Sequence, residues 1–493
     1  MNDWSRGYVS DEPYTIAFQP ALAPPNLDLV CRLMGVAWEP AADAAICDLG
    51  CGRGYTALTL AAADPRRTVI GIDYNPAHIA EARSVAAEAG LTNVRFLDAD
   101  LAEMSDAELD RLPDFDLVTS HGVWTWVGDP VREGIVRLLA RKVKPGGVVH
   151  IAYNSLPGFA QDVALQRFVR TAASMLRGGS TARAGEALGL LRALFDAEAP
   201  HLHKTPLSTS LLATGEEQVD PAYVAHELLP DHWRPVFHAD LAAQMARARL
   251  DFVGSATLFE NVPDLCMTDA QRRVHDSFAP GPAQELVKDL CMTRPFRRDV
   301  FMRGIQRADR VSLLDPLVVG LQLEDAEAPK LGVQVGTAEL APEMAEPIMA
   351  ALREGPQTIG RLRSLPPGRK PNAAELVVLL CGKMVCLPMV DPAPGATASA
   401  VRFNLTASKR YRGMTGPRLG LAAPGAGGGL VAGSTELVIA ADVGAHPDDT
   451  PEQRAERLSV DPSPESRAKV AATIATALAD RLSVWRRFAV VQP

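Results

Sequence analysis

The chain lacks the features that would place it in several large classes. Its seven cysteines (Cys31, Cys47, Cys51, Cys266, Cys291, Cys381 and Cys386) form an odd, scattered set without a C-x-x-C pair. That argues against a disulfide framework and makes a reducing cytoplasm the default expectation. No unbroken apolar run approaches the roughly 18 residues that a membrane span needs, so no membrane partner is expected. The opening Met1-Asn2-Asp3-Trp4-Ser5-Arg6 holds no signal-peptide core. Positive charge is scarce too. Lys and Arg number 50 against 59 Asp and Glu, and a formal net charge of −9 argues against a nucleic-acid binder held by phosphate contacts. The histidines at His201, His203, His226, His232 and His238 have no carboxylate or cysteine partner at a recognisable ligand spacing, so no metal is expected. What remains is an ordinary soluble composition, 47% hydrophobic and 22% charged. At 493 residues the chain is too long for one core and suggests two or three domains.

The stretch Ala45-Ile46-Cys47-Asp48-Leu49-Gly50-Cys51-Gly52-Arg53-Gly54-Tyr55 carries the strongest signal. An apolar strand ends in an acid, breaks into a glycine-rich turn and enters a helix that runs to Ala63. Such a turn leaves backbone N–H groups bare and lets a ligand approach closely. The dinucleotide fingerprint G-x-G-x-x-G wants its third glycine where Tyr55 stands. Asp48, aimed into the loop, would repel a pyrophosphate but suits a ligand with an ammonium group. Together these residues resemble the D-x-G-x-G-x-G loop of class I S-adenosylmethionine-dependent methyltransferases. A nicotinamide-dependent oxidoreductase on a related sheet is the alternative that Tyr55 and Asp48 speak against.

Two more strands end in acids. Thr68-Val69-Ile70-Gly71-Ile72-Asp73 stops nineteen positions beyond Gly54, where an acid can accept hydrogen bonds from ribose hydroxyls. Asn75-Pro76 then reads as an N-cap and first helical residue, and Gly90 as the stop. Val94-Arg95-Phe96-Leu97 leads into Asp98-Ala99-Asp100-Leu101. By the methyltransferase resemblance, Asp100 takes the adenine amino group and Leu101 lines its face. Strand and helix alternate over 45–155, which implies a parallel sheet with helices on both faces.

A fourth strand, Phe115-Asp116-Leu117-Val118-Thr119-Ser120, leads into His121-Gly122-Val123-Trp124-Thr125-Trp126-Val127. A fifth, Val148 to Ala152, ends in Tyr153-Asn154-Ser155-Leu156-Pro157-Gly158-Phe159. These two runs, with the leader Gly7-Tyr8 through Pro13-Tyr14 and Asp73-Tyr74-Asn75-Pro76, are similar to one subgroup of class I methyltransferases. Its members join the catalytic domain to a methyltransferase regulatory domain, and they include bacterial outer-membrane-protein lysine methyltransferases. Tyr223-Val224-Ala225-His226-Glu227-Leu228-Leu229, Phe252 to Ala256 and Phe296 to Phe301 resemble the regulatory part. One departure is Trp124-Thr125, where many members have a Tyr-Ser pair, which bears on the acceptor pocket.

The resemblance implies S-adenosylmethionine as cofactor, held by Asp48, Gly50, Cys51, Gly52, Gly54, Asp73, Tyr74, Asp100, Leu101 and His121. Tyr8, Tyr14, Trp124, Trp126 and Tyr153 are expected on the acceptor side. Methyl transfer from a sulfonium is an in-line displacement that relies on positioning, and Trp124, Trp126 and Tyr153 could face the cation. His121, Tyr153 and Asn154 are the catalytic candidates. His121 has the pKa range of a proton acceptor, and Tyr153 and Asn154 offer hydrogen bonds. A strand-end histidine that only bonds backbone is the plainer alternative. The acceptor is a protein lysine side chain or a small molecule.

Beyond residue 160 the sequence is helix-rich, with apolar periodicity at Leu165, Phe168, Val169 and Met175 and again at Leu188, Leu191, Leu194 and Phe195. Arg294, Arg297, Arg298, Arg303 and Arg307 follow helical spacing and read as a solvated face. Residues 340–392 have the helix order of a small winged-helix-like module. The Gly-, Ala- and Pro-rich stretch from Gly416 to Gly433 reads as a mobile loop. A last helix is capped by Ser463, with Pro464 at its first position. The expected fold is therefore an α/β Rossmann-like, seven-stranded methyltransferase sheet with an N-terminal lid over 1–165. A helical regulatory domain over 166–320 and an α+β winged-helix-like domain over 330–493 follow. The oligomeric state stays open, a dimer included.

Overall fold

Five apolar runs form parallel strands: β1 Ala45–Leu49, β2 Thr68–Asp73, β3 Val94–Asp98, β4 Phe115–His121 and β5 Val143–Leu156. The computed structural model describes residues 6–215, 219–368, 370–414 and 418–492. All five residues of β1 are buried, as expected for a central parallel strand covered on both faces. Helices α1 Tyr55–Ala63, α2 Pro76–Glu88 and α3 Asp129–Lys142 connect the strands. Asn75 caps α2 as its sequence suggested, its side chain accepting the Ala77 N–H at 3.0 Å.

Two later strands complete the sheet. β6 Asp251–Ser255 and β7 Phe296–Met302 add antiparallel to give the order β3-β2-β1-β4-β5-β7-β6, and the two residues Val236–Phe237 pair with the end of β5. The segment expected as helical thus supplies two strands to the catalytic sheet. Strand order reverses between β1 and β4, so the ligand crevice lies at their carboxyl ends. Register puts Asp48 beside Thr119 and Thr119 beside His150.

The arginines read as a solvated helical face are placed differently. Arg297 and Arg298 lie on β7, and Arg294 and Arg297 are buried. Arg297 bonds Asp289 and Asp299 at 2.9–3.0 Å, and its Nη2 reaches Glu285 at 2.9 Å. Arg294 bonds Asp289 and Glu260. Spacing alone did not separate the two periods here; of the acids that satisfy these charges Asp299 is two residues from Arg297, and only Glu260, 34 residues from Arg294, is remote in the chain. Burial would raise Glu285, but Lys288, Arg297 and Arg294 hold it at about 2.

Between β5 and β6 the helices Val163–Met175, Ser180–Asp196 and α4 Pro221–Leu228 pack on their own core of Leu165, Val169, Leu191 and Leu228. After β7 come a three-stranded sheet (318–321, 357–358 and 386–388) and the helices Pro342–Glu354, Ile359–Ser364 and Ala373–Gly382, then α5 Ala396–Arg410. Helix Pro464–Arg487 follows Ser463, whose hydroxyl accepts the Ser466 N–H. Among the described residues no helix is long and apolar enough to cross a membrane.

The glycine-rich stretch is the largest difference from expectation. Residues 416–417 lie outside the described residues, and from Leu419 the chain forms a buried hairpin, Leu419–Ala423 against Gly428–Ala432. Its glycines serve close approach and not mobility: a Cβ on Gly420 would meet Phe18 Cγ at 2.6 Å, and one on Gly429 would meet Thr59 Cγ2 at 2.8 Å. The hairpin covers α1, which explains why that helix is apolar all round and buried at every position.

Candidate functional site

The glycine turn after β1 adopts left-handed backbone at Gly50, Gly52 and Gly54, with φ of +69°, +54° and +76°. Its N–H groups are not bare, contrary to expectation. Those of Gly50 and Cys51 bond the Ile72 carbonyl at 2.8 and 3.1 Å, and that of Gly52 bonds Asp73 Oδ2 at 2.8 Å. The turn therefore offers a ligand its Cα surface. A Cβ on Gly52 would have only Tyr14 Cδ1 within 4 Å, at 3.8 Å, so it would project into open cleft. A Cβ on Gly54 would instead meet Ala82 and Phe96 at 2.7 Å, which makes Gly54 a packing glycine.

A cleft opens beside this turn at the strand ends. Asp73 and Asp100 line it, with Tyr74 and Leu101, and Asp48 faces the adjoining groove beside Cys51. Asp48 accepts the Thr119 hydroxyl at 2.8 Å. Burial raises its pKa to about 7, with Asp73 adding repulsion against the Thr119 bond. Asp73 also accepts the Asn75 N–H at 2.9 Å, and His78 Nδ1 lies 3.6 Å from it. Because His78 Nε2 accepts the Tyr14 N–H at 3.2 Å, a neutral His78 carries its proton on Nδ1, facing Asp73. Asp100 accepts the Ala102 N–H at 2.9 Å and pairs with Arg6, which also reaches Glu103 at 2.6 Å. The sequence reading missed Arg6; it ties the leader across the far end of the cleft.

The leader aromatics, expected on the acceptor side, border the cofactor cleft, and of the two only Tyr14 also lines the groove. Tyr8 packs edge-on against Tyr74 with ring centroids 6.0 Å apart, and Tyr14 packs edge-on against His226 at 5.1 Å. Both line the cleft. Trp126 lines cleft and groove, its indole N–H donating to the Glu227 carbonyl at 2.9 Å.

Trp124 and Tyr153 do not. Trp124 is 3% exposed in the core behind β4, with Arg132 against its ring. Tyr153 is fully buried and donates its hydroxyl to Asp299 at 2.6 Å, on the side opposite the groove. Strand alternation is the reason: on β5, Asn154 faces the groove and its neighbour Tyr153 must face away. Neither can touch an acceptor or a methylsulfonium, so both leave the set of acceptor residues, and Tyr153 leaves the catalytic candidates.

His121 borders cleft and groove. Its ring stacks on His150 at 6.0 Å and meets Phe296 edge-on. Burial and the nearby Arg298 lower its pKa to about 4, which leaves it neutral and weakly basic near pH 7.

Similarity to known proteins agrees with this arrangement. The model of a methyltransferase domain matches residues 41–184, and that of a predicted methyltransferase regulatory domain matches 220–303. A Synechocystis protein, described as the uncharacterized protein sll1526, is 32% identical over 73% of this chain and 71% of its own length. The chain belongs to the class I S-adenosylmethionine-dependent methyltransferases with a regulatory domain. The methyltransferase shares its fold with PKMT2 from Rickettsia typhi, solved in complex with AdoHcy, at TM-score 0.70 and 15% identity, covering 96% of this chain and 99% of that one. The trans-aconitate 2-methyltransferase of Methylobacterium nodulans is 30% identical over 31% of this chain and 50% of its own. The cofactor is S-adenosylmethionine, which supplies an electrophilic methyl group when bound.

On the acceptor side the methyltransferase holds residues that its sequence did not single out as functional. Glu227 and Tyr223 of α4 and Arg298 of β7 line the groove with Asn154. Asn154 donates its side-chain N–H to Glu227 Oε1 at 3.2 Å, and its own backbone N–H is fixed by Thr125 Oγ1 at 2.8 Å. Burial lifts Glu227 to about 7 against the Asn154 bond. The regulatory segment is therefore part of the site wall. No local pattern marks Glu227, 73 residues from Asn154, because only the folded chain brings the two together.

Proposed function

We propose that the methyltransferase places its methyl group on the ε-amine of a lysine side chain carried by a protein. The shape of the acceptor side carries this reading. A groove of about 620 Å³ leaves the cofactor cleft past Tyr14, Gly52 and Trp126. A second cavity, of about 820 Å³, shares Tyr14, Thr15, Tyr223 and Arg298 with the groove and continues to Met384 and Met414. An opening this long, walled by the leader, the regulatory helix and the C-terminal module, suits a side chain delivered by an extended polypeptide. PKMT2, with which the chain shares its fold, is a protein lysine methyltransferase. Radiolabelled methyl transfer into host lysate, followed by size separation and hydrolysis, tests the proposal: label is expected in proteins as methyllysine.

A second reading rests on Arg298, whose guanidinium faces the groove, lies over the Phe296 ring 5.0 Å from its centroid and makes one long hydrogen bond, to Thr257 Oγ1 at 3.5 Å. A cation there could hold a small carboxylic acid, the kind of acceptor named in the trans-aconitate relative. Label recovered in small molecules as base-labile methyl ester would favour it.

A further inference from the structure

We propose that Glu227 is the base that takes the proton from the acceptor's ammonium group, an assignment that rests on the amine reading above. A lysine reaches the groove protonated at neutral pH and has no lone pair to use until it loses a proton. Two of the groove's three carboxylates already have partners: Asp48 accepts the Thr119 hydroxyl at 2.8 Å and is assigned to the cofactor's ammonium group, and Asp162 accepts the Thr205 hydroxyl at 2.6 Å. His121 is held neutral by burial and Arg298, and its proton affinity is depressed. Tyr153, the other expected candidate, is turned into the core and hydrogen-bonded to Asp299. Arg298 carries the wrong charge.

Glu227 is left, and its surroundings suit the task. It lines the groove beside Tyr14, Tyr223 and Asn154, which makes an anionic, partly aromatic wall for a cation. The Asn154 amide points one carboxylate oxygen, and Asn154 is itself pinned by Thr125, so the carboxylate is aimed and not free to rotate. The groups facing it are Tyr8 and Tyr14 from the leader, Tyr223 from its own helix and Asn154 from β5, with His121 and Arg298 on other walls of the groove. The other two carboxylates of the groove are engaged elsewhere, Asp48 by the Thr119 hydroxyl and Asp162 by the Thr205 hydroxyl. Burial raises its pKa into the neutral range, where a carboxylate is both substantially ionised and a competent base.

The step balances without another reagent. The ammonium N–H bond breaks and an O–H bond forms on Glu227, leaving the electron pair on nitrogen. That pair then takes the methyl carbon as the carbon–sulfur pair returns to sulfur. The product is a secondary ammonium and a neutral thioether, and Glu227 releases its proton to water through the open groove.

Full-length wild-type protein, Glu227→Gln and Glu227→Asp are compared with two probes, poly-L-lysine and the protein best labelled in lysate. For Glu227→Gln, kcat is expected to fall by about 10²-fold or more at pH 7. S-adenosylhomocysteine affinity is expected to stay within twofold, which also reports that the variant is folded. Glu227→Asp is expected to recover part of the rate. The pH profile separates a base from a structural role. In the wild type, kcat/KM should stop rising near neutral pH; in Glu227→Gln it should keep rising toward the amine's own pKa of about 10.4. Methyllysine formation by Glu227→Gln at a rate and pH profile like the wild type would overturn the assignment while leaving the lysine reading intact. Absence of methyllysine from both wild-type reactions would overturn the lysine reading and the base together.

Discussion

The Tyr55 hydroxyl donates to the Gly420 carbonyl at 2.9 Å, joining the first residue of the helix behind the cofactor loop to a hairpin 365 positions away. Both groups are buried, and Tyr55 also packs against Phe403 and Tyr411. Tyr55→Phe keeps the ring and leaves the Gly420 carbonyl without this donor. The expected loss of stability is about 1–3 kcal/mol, read from the denaturant midpoint at unchanged slope. A midpoint equal to that of the wild type would mean that the bond contributes nothing net.

Asp73 carries the test of the cofactor reading. It holds the Gly52 and Asn75 N–H groups and lines the cleft. Asp73→Ala is expected to weaken S-adenosylhomocysteine binding by about 1–3 kcal/mol, since ribose hydroxyls would lose a buried partner. Calorimetric titration measures it, and unchanged affinity would remove Asp73 from the ribose.

Gly52→Ala addresses the same site from the other side. The added methyl group enters open cleft at a left-handed residue. Affinity for S-adenosylhomocysteine should fall at least tenfold, or about 1.4 kcal/mol. Undiminished binding would place the ligand elsewhere.

Asp48 gives a pH prediction whose sign is fixed. Its folded pKa of about 7 lies above an unfolded value of about 3.9. Between the two, the folded protein keeps a proton that the unfolded chain has released. Stability of the ligand-free protein therefore falls as pH rises through that window, and Glu227 adds to the fall in the same direction. A ligand ammonium reverses the preference by favouring the carboxylate, so binding expels a proton. S-adenosylhomocysteine affinity should climb from pH 6 to pH 8 in the wild type and lose that climb in Asp48→Asn. Calorimetry in buffers of different ionisation enthalpy counts the proton, and a count of zero would refute the pairing.

The buried ionic network yields a contrast between two substitutions. Asp299→Asn strips a charged partner from buried Arg297 and should cost about 3–5 kcal/mol in a denaturant melt. Tyr153→Phe removes one hydrogen bond to the same carboxylate and should cost only about 1 kcal/mol. Methyl transfer should persist in Tyr153→Phe, because that ring never reaches the groove. A large fall in kcat with stability intact would return Tyr153 to the site.

The sequence made the cofactor half legible because its signals are local. Asp48, Asp73 and Asp100 each stand at or just past the end of an apolar run with a turn behind it, and a parallel strand buried on both faces leaves little ambiguity. The acceptor half was harder. Reading Tyr153 and Asn154 as neighbours at a strand end could not say which face the groove would take, and alternation gives it to one of them alone. Trp124 and Trp126 were separated by the turn that follows β4, one into the core and one onto the cleft. Glu227 and Arg298 reach the groove from helix and strand far along the chain, so no spacing rule could find them. The 416–433 stretch misled because glycine serves tight packing as well as freedom, and only Phe18 and Thr59 pressing on it decide which.

Helix α1 is sealed on every side, by the sheet beneath it and by the 419–432 hairpin above. A ribosome that has made only the first 320 residues has produced every acid of the cofactor cleft, yet the helix steadying its turn still presents leucine and alanine to water. Competence to hold S-adenosylmethionine should therefore appear late in synthesis, when the final third of the chain has folded back onto its beginning.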